Sequence, residues 1–313
     1  MLTTLPTPEI IARSVWAVPP LALKSDYSVN FDAAGVLLRH IEAGGVSTIL
    51  WGGNANLHNF PVSRFEETMG GLAALSGADT WVLPSVGPAW GKLVDEAAIL
   101  KRMKFPTAMV LPMQFPQTPE GVEIGIRDFV QRAGIPVVIY IKTADYLPPA
   151  VLARMGEAGE LAAIKYAVPR PDYHVDPYLT EILKGFDHKR VVSGFGEPPA
   201  LPHLEGFNLA GFTAGCVCIA PSISMNLLRL MQRRDFAGAA KAMAAVKPLE
   251  ALREQHNAIR TLHEAVTLSG IADMGPMLPL LSNLDKSLHH AIQAAARDLL
   301  AMEMAFRGAK AAE

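Results

Sequence analysis

The stretch IPVVIYIKTADYLPPAVLARMGEAGELAAIK, residues 135–165, contains the clearest structural pattern of the chain. Two short apolar runs, Pro136–Ile141 and Leu161–Lys165, flank an amphipathic segment over Pro148–Gly156. Short apolar runs that alternate with helical patterns are typical of strand–helix–strand units, in which the two strands lie parallel in one sheet. This stretch therefore predicts one repeat of an α/β fold.

The same unit recurs along the chain. Candidate strands lie at Val15–Leu21, Thr48–Trp51, Thr80–Ser85, Thr107–Leu111, Pro136–Ile141, Leu161–Lys165, Arg190–Ser193 and Asn208–Ala214. Helical patterns lie between them at Phe31–Ala43, Val62–Leu75, Leu93–Met103, Gly121–Ala133, Pro148–Gly156 and Asp176–Gly185. Eight such strands favour closure into a (β/α)8 TIM barrel, and a chain of 313 residues suits that barrel as one unit. An open, doubly wound sheet is the alternative, because sequence alone does not report closure.

The character of the sequence changes after Pro221. From Ser222 to Ser269 the chain is rich in Ala, Leu, Met, Lys and Arg and shows no strand pattern, and a further helix is predicted over Asn283–Phe306. We therefore expect a barrel over residues 1–221 and a helical region over residues 222–313, packed on the barrel as part of one structural unit.

Composition argues against several classes of partner. Half of the residues are hydrophobic and the net charge is −2, so a large core is available and nothing favours binding to nucleic acid or to an anionic membrane. The apolar runs are far shorter than a membrane span requires. The first residues, MLTTLPTPEIIARS, do not have the pattern of a signal peptide. We therefore expect a cytoplasmic protein.

The only two cysteines, Cys216 and Cys218, form a Cys-x-Cys pair. A metal site would need further ligands, and no cluster of Cys or His with suitable spacing follows in the sequence. We interpret the pair as small apolar residues inside the fold, since free cysteines are among the most buried residues.

Polar residues at the carboxyl ends of the strands are the candidates for chemistry, because barrel enzymes place their active sites there. Lys165 ends the run LAAIK, so its amine would lie near the barrel mouth. A partly desolvated lysine has a lowered pKa and can attack a carbonyl carbon as a neutral amine. A lysine that extends to solvent from a strand end is the alternative. Tyr140 ends the neighbouring run IPVVIY and would serve either as a proton shuttle or as a core aromatic.

In their order and context these residues resemble the dihydrodipicolinate synthase/N-acetylneuraminate lyase family of class I, Schiff-base aldolases. The resemblance is strongest at IPVVIY followed by LAAIK, and it extends over IEAGGVSTILWGG, VVSGFGEPPAL and MGPMLPLL. It implies a barrel with C-terminal helices, usually in a homotetramer. It also implies that Lys165 forms an imine with a 2-keto acid, that Tyr140 relays protons, and that no metal or organic cofactor is needed.

The chain departs from the family pattern in three places. The family's G-T-T-G-E loop, whose threonines hold the keto-acid carboxylate, is replaced here by Gly-Gly-Asn-Ala-Asn at residues 52–56. Asn54 can donate hydrogen bonds to a carboxylate but cannot relay a proton as a hydroxyl does. The family's P-Y-Y pattern reads Pro-Met-Gln at residues 112–114, and the stretch after Tyr140 contains Lys142 and Asp145 but no arginine. These changes argue against dihydrodipicolinate synthesis itself.

The sequence therefore predicts a lyase, either an aldolase or a dehydratase, that acts on another and bulkier 2-keto acid. Besides catalytic Lys165 and Tyr140, the predicted substrate-binding residues are Gly53, Asn54, Asn56, Gln114, Gly194 and Thr213. His58 is a further residue of the mouth. We expect a homo-oligomer, either a tetramer or a dimer. Two alternatives stay open: a catalytically reduced member that binds a small molecule without turnover, and a metal-dependent barrel aldolase or hydrolase.

Overall fold

The computed structural model describes residues 1–311, in which eight parallel strands close into a barrel. The strands are β1 (Trp16–Ala17), β2 (Thr48–Trp51), β3 (Trp81–Val86), β4 (Ala108–Val110), β5 (Val137–Ile141), β6 (Leu161–Tyr166), β7 (Val191–Ser193) and β8 (Gly211–Ala214). Each strand pairs with the next along the chain, and β8 pairs with β1. The prediction of a (β/α)8 barrel is confirmed, and the open-sheet alternative is wrong.

Helices surround this barrel. They are α1 (Pro8–Ala12), α2 (Phe31–Ala43), α3 (Phe65–Leu75), α4 (Trp90–Leu100), α5 (Pro119–Ala133), α6 (Pro149–Glu157), α7 (Pro177–Gly185), α8 (Glu197–Phe207), α9 (Pro221–Gln232), α10 (Phe236–Ala242), α11 (Lys247–His256), α12 (Ala258–Ser269) and α13 (His289–Ala311). The amphipathic face of each barrel helix packs on the outside of the strands, which are themselves almost wholly buried.

The predicted helices α2 to α7 are found, α2 with the predicted bounds and the others within a few residues. Helix α8 was not predicted, and its sequence EPPALPHLEGF contains three prolines. Prolines in the first turn of a helix remove N–H groups that have no partner in any case, so Pro198 and Pro199 are compatible with a helix start. Pro202 lies inside the helix, where a proline is normally a helix breaker.

The C-terminal helices attach to the barrel through a buried carboxylate. The last helix, α13, is found five or six residues later at each end than the predicted helix Asn283–Phe306. Its Glu303 is fully buried and accepts the backbone N–H groups of Ser222 and Ile223 at 3.0 and 3.1 Å, at the start of α9. Arg307 pairs with Glu303 at 2.6 Å and donates to the carbonyl of His40 in α2 at 3.0 Å. These two residues thus fasten α13 to the start of α9 and to α2.

Within residues 1–311, no helix is long and apolar enough to cross a membrane. The pairing of β5 with β6 brings two candidate catalytic residues together, because Tyr140 in β5 lies directly opposite Lys165 in β6. Both are at the carboxyl ends of their strands, where the barrel opens into a cavity.

Candidate active site

A cavity of about 530 Å³ lies at the carboxyl ends of the strands and receives residues from all around the barrel. Residues that line it include Val18, Leu50, Gly53, Asn54, His58, Met109, Gln114, Phe115, Tyr140, Lys142, Lys165, Gly194, Thr213, Gly215 and Arg253. It is therefore the place where the barrel architecture would put an active site.

Lys165 reaches this cavity with its amine desolvated. The residue is 5% exposed, its Nζ donates a hydrogen bond to the carbonyl of Gly194 at 3.2 Å, and its Nζ lies 3.3 Å from the centroid of the Tyr140 ring. Burial, together with the positive charge of Lys142, holds the pKa of Lys165 well below its ordinary value. No carboxylate is paired with Lys165 among the described residues. The amine therefore has the properties of a nucleophile rather than those of a solvated lysine.

A glycine makes room for this lysine. A Cβ atom on Gly194 would lie 2.9 Å from the backbone oxygen of Tyr166, 2.9 Å from the Cβ of Ala167 and 3.1 Å from the Cγ of Lys165. Only glycine lets β7 end so close to β6, and the Gly194 carbonyl can then accept from the Lys165 amine. Gly194 was predicted to bind substrate; the structure places it in the cavity wall and in contact with the lysine.

Tyr140 presents its ring to the lysine amine, and burial raises the pKa of its phenol well above the ordinary value. The hydroxyl thus stays protonated over the physiological range and can donate a proton or pass one on. The ring of Tyr140 contacts the lysine amine, and Tyr140 also lines the cavity. From this position it can exchange protons with the lysine and with a bound molecule.

The loop after β2 is built differently from the sequence-based expectation. Gly53 and Asn54 line the cavity, but the side-chain amide of Asn54 donates to the carbonyl of Val18 at 2.7 Å, which fastens the loop to the end of β1. The backbone N–H groups of Asn54 and Ala55 have no acceptor within residues 1–311. Neither Gly53 nor Asn54 can offer a hydroxyl to a molecule in the cavity.

Asn56 was predicted to bind substrate, yet the structure does not put it among the residues that line the cavity. Its backbone is left-handed, with a φ of 55°, and its side chain is buried. The side chain accepts from the amide of Asn59 at 2.9 Å and faces the carbonyl of Leu278 at 3.5 Å. Asn56 therefore shapes the loop, since asparagine adopts the left-handed conformation more readily than most residues.

Gln114 and Thr213, the remaining predicted residues, both line the cavity. Thr213 is buried in β8, opposite Trp16, whereas Gln114 is exposed at the rim. His58 also lines the cavity, and desolvation at the cavity wall, together with the charges of Lys92 and Lys142, lowers the pKa of its imidazole. It is therefore a neutral imidazole near neutral pH.

Arg253 is a charged cavity residue that was not predicted from the sequence. It comes from α11 in the C-terminal helical region, outside the barrel repeats, and nothing in its local sequence distinguishes it from a surface arginine of an amphipathic helix. It is 7% exposed and forms an ion pair with Glu250 one turn earlier.

Behind Arg253 lies a buried cluster of Glu197, Cys216 and Glu250, whose ligand atoms all lie within 4.8 Å of one another. No such cluster was predicted, because the three residues are far apart along the chain. Cys216 is buried as predicted, but its thiol donates to Glu250 at 2.9 Å, so it is more than an apolar filler. The guanidinium of Arg253 already supplies the positive charge that Glu250 requires.

These features can be compared with known proteins. No protein-family model matches the sequence, and no curated protein sequence is significantly similar to it. The structure, however, superimposes on the dihydrodipicolinate synthase from Bacillus clausii with a TM-score of 0.81 and 18% identity, over 95% of this chain and 99% of the other. The chain has the dihydrodipicolinate synthase fold.

Further solved structures agree with this assignment. The dihydrodipicolinate synthase from Agrobacterium tumefaciens gives a TM-score of 0.82 at 15% identity, over 94% of this chain and all of the other. The enzyme from Cyanidioschyzon merolae, solved with lysine bound, gives 0.81 at 13% identity, over 92% and 98% of the two chains. The resemblance inferred from IPVVIY and LAAIK is thus confirmed at the level of the dihydrodipicolinate synthase fold.

Proposed function

We propose that this chain is a divergent member of the dihydrodipicolinate synthase/N-acetylneuraminate lyase family and a Schiff-base-forming lyase that acts on a 2-keto acid other than the substrate pair of dihydrodipicolinate synthase. The observation that carries the proposal is the desolvated amine of Lys165, packed on the ring of Tyr140 inside the cavity. The agreement of fold with dihydrodipicolinate synthases supports the same class of chemistry, although fold by itself does not determine function.

The reaction would begin with attack of the neutral Lys165 Nζ on the keto carbon. The resulting carbinolamine loses water, with Tyr140 moving the protons, and leaves a protonated imine. In an aldolase, this cationic nitrogen accepts the electron pair of the C–C bond that breaks, so that an enamine forms. In a dehydratase, it accepts the pair left behind when a proton leaves the carbon next to the imine, and the resulting enamine expels the oxygen of the C–O bond as water. Protonation of the enamine and addition of water then return the free lysine and a keto-acid product. Every step uses side chains of the cavity and needs no metal or organic cofactor.

The loop at residues 53–55 would hold the carboxylate next to the keto carbon. The backbone N–H of Asn54, a residue that lines the cavity, has no acceptor within residues 1–311 and is a suitable donor to an anion. The family's threonine hydroxyl is absent, so Tyr140 has no hydroxyl neighbour from this loop through which to exchange protons. We propose that water or the substrate takes that part, because Gly53 leaves space beside it: a Cβ there would meet nothing nearer than His58, at 4.0 Å.

The same missing hydroxyl favours one competing function, a small-molecule binder that forms no product. Multiple turnovers of any keto acid would exclude it.

We further propose that the protein is a homo-oligomer, since Phe115 in the loop after β4 is 87% exposed and Trp90 is 58% exposed. Light scattering on the purified protein would test this second proposal.

Borohydride trapping tests the lyase proposal. The protein is incubated with pyruvate and separately with longer 2-keto acids, reduced, and digested for peptide mass spectrometry. We expect one adduct, on Lys165, and none in Lys165→Ala; Lys189→Ala, at an exposed lysine, serves as the control and should label normally. If no keto acid labels Lys165 under conditions that label an established Schiff-base aldolase, the proposal is wrong.

A further inference from the structure

The cavity carries an excess of positive charge beyond the catalytic lysine. Lys142 and Arg253 both line it with Lys165, and no aspartate or glutamate is among the lining residues of the described chain. A cavity with this charge attracts anions, and its volume of about 530 Å³ exceeds what pyruvate alone would fill.

Arg253 is held rigidly at one side of this cavity. Its Nη1 pairs with Glu250 and its Nε donates to the carbonyl of Ala258 at 3.3 Å. Glu250 is itself held by the thiol of Cys216 at 2.9 Å. The Nη2 group of Arg253 has no acceptor within residues 1–311, although the side chain is 92% buried. An arginine that is fixed on one edge and has free N–H groups on another is preorganised for an anion.

Two glycines at strand ends admit this arginine and its partner. A Cβ on Gly215, directly after β8, would lie 2.6 Å from the Cζ of Arg253 and 2.7 Å from both Nη atoms. Gly196, after β7, has a φ of +97°, and a Cβ there would lie 3.2 Å from Glu250. The guanidinium therefore rests on bare backbone at the barrel mouth, a position that most residues at 215 would block.

The local charges leave Arg253 able to bind an anion. Burial, and the nearby charge of Glu250, raise the pKa of Glu197 to about 8, so this carboxyl is mostly protonated at neutral pH. Only Glu250 then offsets the charge of Arg253. Because Lys142 adds a further positive charge at the mouth, the cavity is positively charged before any substrate enters.

The distance from the lysine suits a second group on the same substrate. Arg253 touches the end of β8 and Lys165 belongs to β6, with β7 between them. Two strand spacings amount to roughly 10 Å between backbones, and the side chains shorten that gap. A carboxylate several carbons from the keto carbon would therefore span it, while the substrate's first carboxylate occupies the loop at Asn54.

We propose that Arg253 binds a distal carboxylate, and hence that the substrate class is a 2-keto acid with a second carboxylate at its far end. This inference rests on the proposed Schiff-base function and names the substrate class of the same cavity. In it, Arg253 is a specificity-determining residue that the C-terminal helices contribute to the barrel.

The test compares keto acids that differ only in the distal carboxylate, for example 2-oxopentanoate and 2-oxoglutarate, by the concentration that gives half-maximal trapping on Lys165. We expect the diacid to label Lys165 at a lower concentration. In Arg253→Lys, which keeps a positive charge beside Glu250, the concentration of 2-oxoglutarate that gives half-maximal trapping should rise about 10- to 100-fold. This is the usual range for the loss of a hydrogen bond to a charged group, about 10- to 100-fold in affinity. The half-maximal concentration of 2-oxopentanoate should stay within about twofold of its value in the parent protein.

A double variant, Glu250→Gln/Arg253→Gln, removes both charges of the pair and keeps the test valid if the single variant folds poorly. Arg233→Lys, at an exposed site in the turn after α9, is the matched control. Equal labelling by the two acids, or loss of the diacid preference in Lys142→Met but not in Arg253→Lys, would overturn the assignment while the Schiff-base function stands. Absence of any label on Lys165 would instead remove the proposed function, and this inference with it.

Discussion

Gly194→Ala should damage the site through packing alone. The new methyl group would lie 2.9 Å from the Tyr166 oxygen and from the Cβ of Ala167, whereas non-bonded carbon atoms prefer about 3.5–4.0 Å. Neither partner can turn away, since one is backbone and the other is a Cβ atom. Such overpacking costs about 1–3 kcal/mol, and the alanine recovers about 0.4–1 kcal/mol by restricting the unfolded chain. Combining these two ranges, we expect a net loss of up to about 2.6 kcal/mol of unfolding free energy, with a midpoint of about 1.3 kcal/mol.

The effect on Lys165 should exceed the effect on stability. The added methyl also comes within 3.1 Å of the Cγ of Lys165, so the amine must shift from its place over Tyr140. A displacement of this kind at a reacting group typically lowers the rate about 100-fold. Urea denaturation measures the first quantity and the rate of borohydride trapping measures the second.

Gly91→Ala is the matched control for this experiment. Gly91 lies in α4, and a Cβ there would meet nothing within 4 Å. Alanine is favoured over glycine inside a helix by about 0.5–1 kcal/mol, so this variant should be as stable as the parent or slightly more stable. A Gly194→Ala protein with unchanged stability and an unchanged trapping rate would refute the packing argument at β7.

Three further outcomes are expected. Tyr140→Phe should slow turnover about 100- to 10,000-fold, because proton transfer by the phenol is lost. The imine with Lys165 should still be trapped by borohydride. Turnover equal to that of the parent would remove Tyr140 from the mechanism. Lys165→Met should be more stable than the parent at neutral pH, because burial lowers the pKa of Lys165 in the folded chain, which therefore binds a proton there less readily than the unfolded chain. The advantage should shrink as the pH rises toward about 10, the ordinary pKa of lysine, and thermal denaturation at several pH values checks this. Glu303→Ala should cost about 3 kcal/mol in chemical denaturation, because it leaves Arg307 and the start of α9 without their acceptor.

Most of the fold could be read from local patterns. The runs around Tyr140 and Lys165 are strands because apolar, partly β-branched residues bounded by glycine and proline favour extended chain, and the pattern over Phe31–Ala43 has the period of a helix. Such signals depend on near neighbours in sequence. They failed at α8, where prolines mask a helix that its packing partners stabilise.

The positions of Lys165 and Tyr140 at the cavity were also readable, because the end of a parallel strand in a barrel always faces the same mouth. Their electrostatic state was not. The closed barrel buries the amine, leaves it without a carboxylate partner among the described residues and sets the Tyr140 ring 3.3 Å away.

Contacts between residues distant in sequence were decided by the tertiary structure alone. The side chain of Asn54 bonds to the carbonyl of Val18, and Arg253 arrives from a helix beyond the barrel to rest on Gly215. No local pattern encodes either contact, because each depends on closure of the sheet and on how the C-terminal helices dock. Local sequence patterns were thus enough for the strands, most of the helices and the place of Lys165 at a strand end, because those patterns depend on neighbouring residues. Closure of the barrel and docking of the C-terminal helices fixed which groups surround that lysine, because these contacts join residues far apart in the sequence.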